Sequence, residues 1–123
     1  HRGHSYWLPG TINRMPGNAK IVIIGSCGGY KNLNKILEIS PDAHIISTKE
    51  IGAGDINGPI LNYLNQALTS GNNITWRTMW QSLTNSFLKQ NKGLLESWEN
   101  YIPPYRNLGT IFLKAYHKKM QGL

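Results

Sequence analysis

The sequence predicts an α/β fold built around a parallel pair of strands. Four consecutive β-branched residues, from Ile21 to Ile24, predict a strand over residues 20–25 that is buried on both faces. An amphipathic segment over residues 29–39 predicts a helix, and residues 43–48 predict a second strand. A strand, a helix and a strand within about 30 residues form a βαβ unit, so we expect parallel strands joined by a right-handed crossover.

The remaining elements are predicted from turn residues and hydrophobic spacing. The Pro-Gly pairs at Pro9 and Pro16 predict that the segment before the first strand is mostly loop, and residues 51–58 predict a glycine-rich loop. Pro59 suits the first turn of a helix that ends near Thr69. Helices are also predicted over residues 75–89, 94–101 and 108–120. The apolar stripe of the first of these predicts a core face: Trp76, Met79, Trp80, Leu83 and Phe87.

Two strands are too few for a stable sheet that is covered on both faces. We therefore expect further strands upstream of His1 in the same polypeptide, or from another subunit. On this interpretation residues 1–123 are a single partial α/β domain, the C-terminal portion of a larger one. The blocks that carry His and Cys lie within residues 1–58, and a helical region spans 59–123.

Composition narrows the function classes. The chain has one cysteine, which excludes an intramolecular disulfide and a cysteine-based zinc site. The net charge is +7, but the basic residues are scattered, so we expect a solvated basic surface and no nucleic-acid partner. No apolar run approaches the roughly 20 residues that cross a bilayer, so no membrane partner is expected. We expect no cofactor and no metal. The sequence does not indicate a cellular compartment.

Cys27 is the candidate nucleophile. It directly follows the first predicted strand, at the edge where open α/β sheets place their chemistry. The partial positive charge at the N-terminus of the helix predicted to follow it favours the thiolate over the thiol. The alternative is that this lone cysteine is a small buried hydrophobe.

A thiol nucleophile needs a base, and His4 is the best placed candidate. If the residues before it form a strand parallel to the first, His4 stands at the same sheet edge as Cys27. His44 begins the second strand, at the opposite end of the sheet, and His117 lies among lysines on the last helix. The alternative for His4 is an ordinary surface residue near a chain terminus.

These blocks carry a family resemblance. Gly3-His4-Ser5, followed by a hydrophobic strand that ends in Gly25-Ser26-Cys27-Gly28-Gly29, resembles the two signature blocks of the caspase-like cysteine peptidases (clan CD). This group includes caspases, metacaspases, gingipains, legumain, separase and bacterial CHAT-domain proteins. Residues 54–58 and the helix after them resemble the corresponding part of CHAT and separase domains. The resemblance covers roughly residues 1–80.

The resemblance implies a fold, an activity and roles for individual residues. The fold would be a three-layer α/β sandwich with a mostly parallel sheet. The activity would be that of a cysteine endopeptidase acting on a protein or peptide substrate through a Cys-His dyad. Cys27 matches the nucleophile and His4 the general acid/base, while the backbone N–H groups of Ser5 and Cys27 match the oxyanion donors.

Four residues are candidates for the substrate pocket that the resemblance implies near the second strand. They are Ser47, Lys49, Glu50 and Asp55. Glu50 or Asp55 would suit a basic substrate side chain, and Lys49 an acidic one. The alternative is that these are solvated loop charges.

Two other functions compete with the peptidase. One is a catalytically silent caspase-like scaffold that binds partner proteins. The other is a Rossmann-like nucleotide-binding module, because Gly25 and Gly28 follow a strand and Glu50 ends the next one. Cys27 occupies the second glycine position of that fingerprint, where a side chain blocks close approach to a pyrophosphate.

Overall fold

The computed structural model describes residues 7–25, 29–50, 52–71 and 75–122, which form a mixed α/β fold. The strands are β1 (Ile21–Ile23), β2 (His44–Thr48) and β3 (Tyr101–Ile102). The helices are α1 (Leu8–Asn13), α2 (Leu33–Ile39), α3 (Gly54–Ser70), α4 (Trp76–Gln90), α5 (Lys92–Trp98) and α6 (Leu108–Gln121). Short 3-10 helices cover Gly29–Asn32 and Pro104–Arg106.

The described residues form a three-stranded sheet in the order β1-β2-β3. β1 runs parallel to β2, with Ile21 opposite His44 and Ile23 opposite Ile46. The parallel pairing predicted for the βαβ unit is therefore confirmed. β3 pairs antiparallel with β2 and places Tyr101 opposite Thr48, so this sheet is mixed. The α/β class is confirmed in this coarser form.

The core divides into two clusters because successive side chains of β2 point to opposite faces of the sheet. Ile45 belongs to one cluster and Ile46 to the other, and both are fully buried. The Ile45 cluster contains apolar side chains of α1 and α2: Leu8, Ile12, Leu33, Ile36 and Leu37. The Ile46 cluster contains side chains of α3, α4, α5 and β3: Ile56, Ile60, Met79, Trp80, Leu83, Phe87, Trp98 and Tyr101.

The apolar stripe of α4 is a core face, as its spacing predicts. Four of its five members are buried, and Trp76 packs against the same cluster from a half-buried position. Trp98 of α5 stacks on Trp80 with ring centroids 4.2 Å apart. Its indole N–H donates to the Oγ1 atom of Thr84 at 2.8 Å, so the one polar group of this large side chain is satisfied.

Three local predictions need correction, each for a physical reason. The segment before β1 is only partly loop, because Leu8 and Ile12 lie one helical turn apart and are buried on the inner side of α1. The glycine-rich segment 51–58 is only partly a loop, since α3 begins at Gly54. Pro59 therefore lies inside that helix. The side chains of β1 are half-buried rather than buried on both faces.

Candidate functional site

The residues predicted to carry the chemistry, His4, Ser5 and Cys27, lie outside the described residues. The structure describes the elements on either side of Cys27. β1 ends at Ile23, the backbone continues through Ile24 and Gly25, and a 3-10 helix begins at Gly29. The residues that hold this strand end in place can therefore be identified.

Gly25 is anchored by a buried hydrogen bond from Asn57. The Nδ2 atom of Asn57 donates to the carbonyl oxygen of Gly25 at 3.2 Å, although the two residues are 32 positions apart in the sequence. Asn57 lies at the end of the first turn of α3 and is 3% exposed, so its polar side chain is buried in the protein. Buried side-chain amides are nearly always hydrogen-bonded, so both polar atoms of Asn57 need partners.

The other end of the Asn57 side chain is held by Tyr101 of β3. The Tyr101 hydroxyl donates to the Oδ1 atom of Asn57 at 2.5 Å. The same hydroxyl accepts a hydrogen bond from the backbone N–H of Ala53 at 2.9 Å. The chain of contacts from Ala53 through Tyr101 and Asn57 to Gly25, which we call the Asn57 network, joins the start of α3 and β3 to the end of β1.

The Asn57 network explains why position 25 is glycine. A Cβ atom built there would lie 2.5 Å from Cγ and 2.6 Å from Nδ2 of Asn57, and it would overlap Oδ1 as well. Real Cβ atoms do not approach this closely, so any side chain at position 25 would displace Asn57. The backbone that leads into Ser26 and Cys27 thus lies directly against a buried amide.

The parallel register places His44 at the amino end of β2, away from the carboxyl ends where β1 leads to Cys27. The prediction that His44 lies at the sheet edge opposite the carboxyl end of the first strand is confirmed. The Trp76 indole N–H donates to Nδ1 of His44 at 3.3 Å, which requires that nitrogen to be unprotonated. Burial lowers the pKa of His44, and the positive charge of Lys114 lowers it further. His44 is therefore favoured in its neutral form.

The four predicted pocket residues have different environments. Lys49 and Glu50 follow the carboxyl end of β2 and line a cavity of about 460 Å³ together with Arg106. Ser47 is fully buried, and its hydroxyl accepts a hydrogen bond from Nδ2 of Asn107 at 3.1 Å. Asp55 is exposed in the first turn of α3. Among the described residues, this cavity is lined by Lys49 and Glu50 but not by Ser47 or Asp55.

Arg106 is a pocket residue that the sequence analysis missed. It lines the Lys49–Glu50 cavity and also a neighbouring cavity of about 580 Å³, which Lys49 shares. The guanidinium lies over the ring of Tyr105 at 5.5 Å from its centroid. The Pro-Pro pair that precedes Tyr105 marks a structured turn, but nothing in the local sequence indicates that this turn reaches the end of β2.

Neither a metal site nor a membrane-spanning segment is found in the described part of the chain. No three His, Cys, Asp or Glu side chains gather there in a way that could hold a metal ion. Its helices are too short or too polar to cross a bilayer. Comparisons with protein-family models, with curated proteins and with solved structures find no match.

Proposed function

We propose that this chain carries the catalytic portion of a caspase-like cysteine endopeptidase, with Cys27 as nucleophile and His4 as general acid/base. The observation that carries the proposal is the Asn57 network. It fixes the Gly25 carbonyl two residues before Cys27, at the carboxyl edge of a parallel strand pair. A nucleophile is effective only when its attack geometry is held, and a buried hydrogen bond on the preceding backbone supplies such a constraint.

The proposed reaction is an acyl transfer through a thioester. His4 takes the thiol proton, and the Cys27 sulfur attacks the carbonyl carbon of the scissile bond. The oxyanion accepts hydrogen bonds from the backbone N–H groups of Ser5 and Cys27. His4 then donates the proton to the leaving amine, and the C–N bond breaks. A water molecule, deprotonated by His4, hydrolyses the thioester and releases the thiol.

The fold supports the proposal at the level of architecture. Helices cover both faces of β2 with apolar side chains, and the crossover between β1 and β2 contains α2. This is the arrangement of an α/β domain, in which sites lie at the carboxyl edge of the sheet. The finer three-layer sandwich with a mostly parallel sheet belongs to this proposal.

The substrate pocket on this proposal is the cavity lined by Lys49, Glu50 and Arg106. The two cations outnumber the carboxylate on its wall, which favours an acidic substrate side chain over a basic one. On this proposal Ser47 does not contact the substrate. It lies behind the pocket wall, where its hydroxyl accepts a hydrogen bond from the lining residue Asn107. Asp55 has no role in this pocket.

The decisive experiment measures hydrolysis of fluorogenic peptide libraries that carry Asp, Glu, Asn, Lys or Arg before the scissile bond. We expect activity that is abolished in Cys27→Ala and reduced by at least about 100-fold in His4→Ala. Preference for Asp or Glu that weakens in Lys49→Ala and Arg106→Ala would support the pocket. Activity that survives Cys27→Ala would refute the dyad, and a preference for Lys or Arg would refute the pocket while leaving the dyad intact.

A silent scaffold would share this fold but not the reactive thiol. A full absence of hydrolysis across the library, together with a Cys27 thiol that reacts no faster than a free cysteine, would favour the scaffold over the enzyme.

A further inference from the structure

The outward face of α6 is more apolar than the face that α6 presents to the protein. Its outward side chains are exposed over a large part of their surface: Leu108 78%, Ile111 48%, Phe112 67%, Tyr116 50% and Met120 54%. The side of α6 that is buried or half-buried contains Thr110, Leu113, Lys114 and His117. A surface helix normally shows the reverse arrangement.

The exposed residues are arranged as a helix-packing ridge. Leu108, Phe112, Tyr116 and Met120 are spaced four residues apart, so they form one continuous row of about 18 Å along the helix. The neighbouring row contains Ile111 and the small residue Ala115. We call these six residues the α6 ridge. A second helix can lay one of its own rows in the groove between them.

The charged side chains of α6 itself have one sign, and Glu50 is at the other end of the ridge, in the cavity that Leu108 also lines. No Asp or Glu occurs after Glu99 in the sequence, whereas Lys118 and Lys119 lie in the last turn of α6. Lys114 is partly buried, where it interacts with Asp42, so the exposed cations of α6 are at its C-terminal end. A partner is therefore favoured if it carries carboxylates near one end of its apolar stripe.

We propose that the α6 ridge is a docking site for an amphipathic helix of a partner protein whose apolar stripe is flanked by Asp or Glu. The ridge spacing and Ala115 suit helix-on-helix packing, and the two terminal lysines supply the charge complementarity. A lipid surface is less well matched, since an interfacial helix carries cations along its polar face rather than at one end. The proposal does not rest on the proposed peptidase activity, although Leu108 of the ridge also lines the cavity proposed as the substrate pocket.

The test measures fluorescence anisotropy of a labelled synthetic peptide of about 20 residues, long enough to be helical. The peptide has leucines at i and i+4 spacing with glutamates beside them, and a matched peptide has lysines in place of the glutamates. We expect the acidic peptide to bind at least about tenfold more tightly than the basic one. We also expect Phe112→Ser to weaken binding by about tenfold or more.

Matched variants separate the ridge from general surface effects. Leu88→Ser removes a leucine that is 62% exposed on α4 and is expected to leave binding unchanged. The double substitution Lys118→Glu and Lys119→Glu is expected to reverse the peptide preference, while Lys89→Glu at the end of α4 is not. Circular dichroism of each variant checks that it stays folded.

Four results would overturn the proposal. They are equal binding of the acidic and basic peptides, binding that is unaffected by Phe112→Ser, and Phe112-dependent binding to phosphatidylserine vesicles without binding of the acidic peptide. The fourth is Phe112-dependent self-association in sedimentation, which would assign the ridge to a second copy of the chain.

Discussion

Replacing Gly25 by alanine tests whether the Asn57 network holds the end of β1. The added Cβ would overlap the side-chain amide of Asn57, which must then move. The displaced amide gives up its bonds to the Gly25 carbonyl at 3.2 Å and to the Tyr101 hydroxyl at 2.5 Å, both of them buried. A buried polar group that loses its partner costs about 1–3 kcal/mol, so we expect a loss of about 2–4 kcal/mol in the free energy of unfolding.

The assay is urea unfolding followed by tryptophan fluorescence, with the midpoint and the slope both fitted. Gly10→Ala is the matched control, because Gly10 lies inside α1 and a Cβ there meets no atom within 4 Å. The control is expected to gain about 0.5–1 kcal/mol, since alanine is the better helix former. If Gly25→Ala unfolds at the same urea concentration as the wild type, the reasoning about the Asn57 network is refuted.

Two further substitutions test other contacts. Asn107→Ala removes the N-cap of α6 and the donor to buried Ser47, so we expect a loss of about 1–3 kcal/mol in urea unfolding. Asn91→Ala removes only an exposed N-cap and is expected to lose about 1 kcal/mol; equal losses would contradict a role for the Ser47 contact. The pKa of His44 is lowered in the folded state, so the unfolded state binds more protons and stability falls as the pH drops below about 6.5. His44→Gln keeps an acceptor for the Trp76 indole and is expected to reduce the loss of stability at low pH. Parallel curves of unfolding free energy against pH for wild type and variant would contradict this expectation.

The parallel strand pair and the core face of α4 were predictable because each follows from local hydrophobic pattern. β-branched runs specify β1 and β2, and the helix between them forces a crossover that makes the pair parallel. β3 was not predictable, since Tyr101 and Ile102 form a strand of two residues with no periodicity of their own. They become a strand only because α5 delivers them to the edge of β2.

The residues that hold the end of β1 left less signal in the sequence than the candidate site residues did. Asn57 stands in a glycine-rich segment that reads as a solvated loop, and its burial follows from the early start of α3 at Gly54. Its partners, Gly25 and Tyr101, are 32 and 44 residues away in the sequence. Arg106 likewise reaches the end of β2 through a tertiary contact. Such long-range polar contacts leave no local pattern.

The central claim is that Cys27 is an activated thiol paired with His4, and the rate of its alkylation by iodoacetamide as a function of pH tests this most directly. The chain has a single cysteine, so the modified residue is identified without ambiguity by mass spectrometry. We predict a rate profile with a pKa clearly below about 8.5, the value of a free thiol, and a return towards that value in His4→Ala. A profile that titrates near 8.5 in the wild type and is unchanged in His4→Ala would contradict the account.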